Sequence, residues 1–344
     1  MQLTMAILAA SRVAWACVEK RVSRDMIELL EPFKRLLEVA APPAALRAIE
    51  SGGAPDQMWQ SFLDSGFLDA LVDEEHGGAG LAPAEVEPLF QAIGAQPVPL
   101  PVAETMVARA LLAKASVERP EGPIILVTSA AQPVPCAAVA SHALIDDGEL
   151  LRLTPMDALS PVPTGAHHSL SMRLTGTASG VPLPRPVNGL RPIAAVVRAA
   201  LIAGAAERLT HISTLFANER VQFGKPIGRQ QSLQHMLAVM GEDMIACRIA
   251  AQVGLSKGLE VPLAVAATAK VTASAAAPRI AAAAHAVHGA IGISEEYDLQ
   301  LLTRRLHEWR LADGSEGYWE KLLGAARLAS PDVTVDWVRT EIFA

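Results

Sequence analysis

Apolar positions recur every three or four residues along most of the chain, and in one central stretch that rhythm gives way to short runs punctuated by proline and glycine. Near the start, SRDMIELLEPFKRLLEVA carries Met26, Ile27, Leu29, Leu30, Phe33, Leu36 and Leu37 at near-helical spacing, with Ser23 or Asp25 as a candidate cap. MWQSFLDSGFLDALV and APAEVEPLFQAIGA read as further helices, separated by DEEHGGAG, where Gly77, Gly78 and Gly80 permit positive φ. From Glu121 to about Pro186 the runs PIILVTS, SHALID, ELLRLTP and HHSLSMRLTG predict a small β unit that contains no Phe, Trp or Tyr. VPLPRPVNGLRP, residues 181–192, reads as a linker because its prolines exclude a helix interior. Beyond it the pattern predicts four long helices at about 194–223, 230–257, 262–288 and 297–328. Their alanine-rich faces allow close approach and their short connections make neighbours antiparallel, which implies a four-helix bundle. The expected organisation is mainly α with a small β domain: helical over 1–119, a reduced β unit over 120–186 and a carboxy-terminal helical bundle over 187–344.

Composition narrows the classes. At 344 residues the chain can form about two or three domains with a large core. Hydrophobic residues make up 51%, but much of this is alanine, and no apolar run reaches the ~18 residues of a membrane span, so a soluble chain is expected. The opening MQLTMAILAASRVAWAC lacks a basic leader and is interrupted by Arg12; it reads as a helix or as residues upstream of the natural start. A net charge of −7 offers no electrostatic footprint for nucleic acid. Cys17, Cys136 and Cys247 are odd in number, far apart and without metal-ligand spacing, which suits a reducing, cytoplasmic setting and no metal site.

Candidate chemistry concentrates at two helix junctions. In ERVQFGKPIGRQQSLQHMLA, residues 219–238, Glu219, Arg220 and Gln222 end one helix, Gly224 and Pro226 turn the chain, and Gln230, Gln231 and Gln234 open the next. An anion would find Arg220 beside unpaired main-chain N–H groups there, although a solvated bundle corner explains the same residues. In AHAVHGAIGISEEYDLQLLTRRLHEWRLADGSEG, residues 284–317, a helix ends at His288-Gly289, GAIG exposes backbone, and a helix bearing Arg304 and Arg305 follows Glu296-Tyr297.

Together these stretches resemble the carboxy-terminal bundle of the flavin-dependent acyl-CoA dehydrogenases. The family order Arg-x-x-Phe-Gly, Gln, Gly-rich turn, Glu-Tyr and basic pair is matched by Arg220, Phe223, Gly224, Gln231, Gly289, Gly292, Glu296, Tyr297 and Arg304. SGFLDALVDEEHGGAGLAPAEVEPLFQAIGAQPVPLPVAET is similar to the family's amino-terminal helical domain, so the resemblance covers most of residues 50–328. It implies FAD held between subunits. Arg220 would meet the pyrophosphate, Gln222 and Phe223 would line the cofactor, Gln231 would approach the adenosine half, and His288, Gly289 and Gly292 would form the turn receiving a neighbour's dinucleotide. Ser315 would sit near a phosphate. The implied reaction removes an α proton from an acyl-CoA substrate with a carboxylate while the β hydrogen passes to the flavin, and electrons then go to an electron-transfer flavoprotein.

The base position falls on Asp313, in Leu311-Ala312-Asp313-Gly314-Ser315, where the family often has Glu. The shorter side chain withdraws the carboxylate by roughly 1.5 Å, and an ordinary Asp-Gly turn explains the residue about as well. The β unit lacks the family's Thr-Glu-Pro…Gly-Ser and Trp-Ile-Thr-Asn-Gly segments. Short members often pair with a longer homologue in a heterotetramer, so three readings stand: a dehydrogenase chain using Asp313 in a homo-oligomer, a non-catalytic subunit completing a longer homologue's flavin site, or a helical scaffold without ligand. His285 and His288 lack a third zinc ligand, and His167-His168 reads as a solvated loop pair. Arg304, Arg305 and Arg310 could form an anion patch, but Glu308 lies four after Arg304 and a solvated helix face explains them about as well, while Met236, Met240 and Met244 fit a bundle core.

Overall fold

The structure is a computed structural model described from Arg24 to Ala344, apart from Ala130, Thr177 and Ala178, with side chains described from Leu29 onward. The opening segment with Cys17 and the candidate cap Ser23 lies outside the described residues, as do the side chains of Asp25, Met26 and Ile27; the backbone of Asp25 is already inside the helix that begins at Arg24.

Five helices form the amino-terminal layer: α1 (Arg24–Ala40), α2 (Pro43–Glu50), α3 (Asp56–Asp64), α4 (Pro83–Ala95) and α5 (Val102–Lys114). On α1, Phe33 and Leu37 are buried. Every residue of α5 from Val102 to Ala113 is buried, charged Glu104 and Arg109 included. The helix is sandwiched, and its Thr105 hydroxyl both donates to the Ile124 carbonyl and accepts from the Ile124 N–H, which ties it to the first strand.

The β unit comprises β1 (Ile124–Val127), β2 (His142–Asp146), β3 (Leu151–Pro155), β4 (Ser160–Pro163), β5 (Met172–Thr175) and β6 (Val181–Leu183). One sheet has the order β1-β2-β3-β6, parallel between β1 and β2 and antiparallel thereafter; β4 and β5 form a separate antiparallel pair. Its own small core is aliphatic, with Ile125, Val127, Val134, Leu159 and Leu174 around Cys136. Strand β6 arises inside the stretch read as a linker. Pro182 is tolerated because β6 lies at the sheet edge, where a missing N–H costs no ladder bond.

The carboxy-terminal half contains α6 (Leu190–Glu219), the hairpin strands β7 (Val221–Gln222) and β8 (Lys225–Pro226), α7 (Gln231–Leu255), α8 (Leu263–His288), α9 (Leu299–Leu311), α10 (Glu316–Ala329) and a short α11 (Thr334–Val338). From Leu190 to Ala206, α6 is buried on all sides except at Arg191, as expected of a helix that is apolar all round. It packs against α4 on one side and α7 and α8 on the other. Close approach is built from glycine: a Cβ on Gly204 would lie 1.8 Å from the Gln91 carbonyl oxygen, and one on Gly94 would lie 2.0 Å from that of Leu201.

Two boundaries differ from the sequence expectation. α6 stops at Glu219 because Arg220 turns to an extended conformation and Phe223 and Gly224 both take positive φ, 54° and 75°, making a two-residue hairpin turn. The fourth long helix is broken into α9 and α10 at Ala312–Ser315, where Asp313 and Gly314 have φ of 59° and 108°. A Cβ on Gly314 would approach Tyr318 and Trp319 within 2.7 Å, so glycine is sterically required at that break. Among the described residues no helix is long and apolar enough to cross a membrane.

Candidate functional site

The hairpin and the Gly289 turn meet at one end of the bundle. Four residues before Arg220, Phe216 stacks on His288 with ring centroids 4.4 Å apart and planes inclined by 30°. Beneath them Ala217, Ile227 and Val287 form a small buried cluster, and the Ile227 N–H donates to the Arg220 carbonyl at 2.8 Å. Arg220, Gln222, Gln231 and Gly289 are exposed, and the Phe223 ring, at 91% exposure, stands at the tip of the hairpin. A bulky aromatic in a left-handed backbone conformation and open to water has no packing to hold it among the described residues. His288 is buried instead: its Nδ1 donates to the Ala284 carbonyl at 2.8 Å, burial lowers its pKa, and Nε2 faces no hydrogen-bond partner among the described residues. Gly292 is also buried, where a Cβ would meet His288 and Leu299, so it serves packing. Gly289, at φ 60°, has open space where a side chain would stand.

Asp313 and Ser315 lie elsewhere. Eighteen residues of α6 separate Phe216 from Arg198, the partner of Asp313, which at ~1.5 Å per residue is about 27 Å. Arg198 Nε donates to Asp313 Oδ2 at 3.0 Å, Thr128 Oγ1 donates to Asp313 Oδ1 at 2.9 Å, and a second guanidinium nitrogen of Arg198 binds Glu104. All three charged side chains are at most 7% exposed. The Asp313 carbonyl accepts from Trp319 Nε1 at 3.1 Å, which fixes the turn from behind. Lys270 completes the support: Nζ donates to Ser274 Oγ at 2.9 Å and to the Trp309 and Arg310 carbonyls, each at 2.8 Å, satisfying the open end of α9.

Burial pushes the Lys270 ammonium down from 10.5 to about 7, against the opposing pull of Asp313. Between those two values the unfolded chain holds more protons at this position than the folded one, so its contribution to stability rises as pH rises. The urea midpoint of the wild type is therefore expected to gain on that of Lys270→Met between pH 7.5 and pH 9.5, chosen roughly within that window. Parallel pH dependences would contradict this.

A cleft of about 590 Å³ opens beside the break, between the β unit and α9–α10. Ala312, Ser315, Leu311 and Tyr318 line it; Asp313, turned to Arg198, does not. Across the cleft Glu308 accepts from Ser171 and Arg305, and Glu50 at the end of α2 binds both Arg304 and Arg305. Thus the basic pair is spent on neighbouring carboxylates, not on a solvated face. Arg198, Glu104, Lys270 and Glu50 were not singled out from the sequence. Each of Arg198 and Lys270 is, however, the sole charge in a long apolar helix stretch, IAAVVRAALIAGAA and LAVAATAKVTASAAA, and a lone charge at a core position demands a partner.

The donor set at the hairpin end suits a dinucleotide: a guanidinium, two carboxamides, an exposed ring and an unobstructed glycine turn face the same end of the bundle. The β unit offers no Phe, Trp or Tyr ring to a flavin.

Residues 193–328 match the family described as acyl-CoA dehydrogenase, C-terminal domain. Over 295 residues the chain is 30% identical to acyl-CoA dehydrogenase IpdE2 of Mycobacterium tuberculosis, covering 81% of this chain and 90% of the relative. Among solved structures, the ChsE4-ChsE5 complex from Mycobacterium tuberculosis superposes with a TM-score of 0.78 at 18% identity, covering 90% of this chain and 99% of the other. A variant of the steroid ACAD Tcur3481-Tcur3483 superposes with a TM-score of 0.77 at 22% identity, covering 89% and 99% respectively.

Proposed function

This chain belongs to the acyl-CoA dehydrogenase family of oxidoreductases, and from that premise we propose that it acts as a subunit of an FAD-dependent acyl-CoA dehydrogenase whose flavin site a longer homologue completes. Arg220, Gln222, Phe223, Gln231 and Gly289 would hold the dinucleotide reaching across from the adjoining chain, with His288 and Gly292 shaping the turn from within. Bound FAD supplies the hydride acceptor for α,β-dehydrogenation of an acyl-CoA thioester, and an electron-transfer flavoprotein is the fitting electron acceptor.

One observation carries the reading. The carboxylate at the base position, Asp313, is held by Arg198 and Thr128 and turned from the cleft that Ala312 and Ser315 line. A general base must reach the proton it removes; Asp313 instead neutralises a buried guanidinium, which leaves the base to the partner. The absence of Phe, Trp and Tyr from the β unit supports the same division. So does the distance of about 27 Å along α6 between the hairpin end and the Asp313 turn, because residues so separated serve one ligand readily only when two chains contribute. Ser315, on the cleft wall, would then approach a phosphate of a second dinucleotide position. Coexpression with a longer family member, read by flavin absorbance and by the mass of the complex, tests this: flavin is expected only in the pair.

A further inference from the structure

The mouth of the cleft carries a side-chain cluster that the flavin chemistry does not use. His167 and His168 lie on the loop before β5, and Glu295 lies in the turn that leads into α9, so the three come from two different layers of the fold. The Nε2 atoms of His167 and His168 stand 3.4 Å and 2.8 Å from the same Glu295 oxygen, Oε1. One ligand atom from each of the three residues falls within a sphere of mutual distances no greater than 4.8 Å.

Zinc bound by imidazole and carboxylate at about 2.0–2.2 Å sets neighbouring tetrahedral ligand atoms roughly 3.3 Å apart. The two distances to Glu295 bracket that edge. The remaining pair closes by rotation of the His167 side chain, which at 79% exposure is free to turn. Both ends of the cluster are anchored. His168 is held in a left-handed conformation at φ 53°, with its carbonyl accepting from Arg304 Nη1 at 3.1 Å. Beside Glu295, Arg47 donates to the Glu296 carbonyl at 2.9 Å and pairs with Asp298 at 2.6 Å. Such outer contacts hold ligands in place and set metal affinity. The two imidazole rings, 3.7 Å apart, both turn Nε2 to one carboxylate oxygen, and release of the Nε2 protons to solvent would offer a single divalent cation two imidazole nitrogens and a carboxylate.

We propose that His167, His168 and Glu295 form a binding site for a zinc-type divalent metal that clamps the β unit to the carboxy-terminal helices across the mouth of the cleft. Three protein ligands leave a fourth position open to water.

The test uses the tag-free full-length chain, titrated with Zn²⁺ by calorimetry and with Co²⁺ by visible absorbance, and does not depend on flavin or turnover. One metal per chain is expected, with the Co²⁺ spectrum of a four- or five-coordinate site and a metal-dependent rise in thermal midpoint. Glu295→Gln and the double variant His167→Gln/His168→Gln are each expected to weaken binding at least about tenfold, whereas His235→Gln, exposed on α7, leaves it unchanged. Absence of saturable binding overturns the proposal, and so does binding that survives both sets of variants.

Discussion

Replacing Arg198 by Met is expected to cost about 3–5 kcal/mol of stability, because it leaves two buried carboxylates without their common cation. Glu104 and Asp313 come from α5 and from the break between α9 and α10, so Arg198 joins the amino-terminal layer to the carboxy-terminal helices through one guanidinium. Each carboxylate left behind would have to take up a proton or admit water, and both disturb a site almost closed to solvent. Urea midpoints of the single variant against wild type measure the loss. The triple variant Arg198→Met/Glu104→Leu/Asp313→Asn removes all three charges, and Asn tolerates the left-handed backbone at 313. It is expected to regain most of the loss, since a buried ionic triad can be replaced by uncharged groups at little cost. A triple variant as unstable as Arg198→Met alone would mean that the hydrogen bonds, not the charge balance, hold the turn.

A methyl group at Gly204 is expected to produce the second large effect. Helix propensity alone favours Ala over Gly by about 1 kcal/mol. Against this stands the Gln91 carbonyl, 1.8 Å from the added Cβ, which is main chain and moves only if α4 and α6 separate. Overpacking of that kind costs on the order of 3 kcal/mol, so a net loss of about 2 kcal/mol follows for Gly204→Ala. Gly241, inside α7, supplies the opposite case, because among the described residues nothing beyond its own helix backbone and chain neighbours lies within 4 Å of an added Cβ. Gly241→Ala is expected to raise the thermal midpoint while Gly204→Ala lowers it; the same sign for both would refute the packing explanation.

The helices and the β unit are legible in the sequence because periodicity changes at Glu121 and returns after the prolines near 190. Periodicity cannot foresee two of their interruptions. The run from Tyr297 to Leu328 keeps a helical rhythm, but the Asp313-Gly314 pair inside it is a turn signal that periodicity passes over, and the break there brings the Asp313 carboxylate to Arg198. Likewise Arg220 and Gln222 continue the pattern of α6 in sequence but form a hairpin, driven by the positive φ of Phe223 and Gly224. The motif order was enough to single out Arg220, Phe223 and Gly289 as candidates for one corner, and the Phe216–His288 stack joins their two segments. What the sequence could not display is direction: whether the Asp313 carboxylate faces a ligand or a buried Arg198 depends on a partner 115 residues away.

The measurement nearest to the central claim is the flavin content of this chain purified alone, then copurified with a longer family member, each as wild type and as Arg220→Ala. The expected result is a colourless chain by itself, flavin bound by the wild-type complex, and a complex of unchanged mass that has lost most of its flavin when Arg220 is replaced. A yellow wild-type chain on its own that bleaches when an acyl-CoA is added, or a complex whose flavin content ignores the Arg220 replacement, would contradict it.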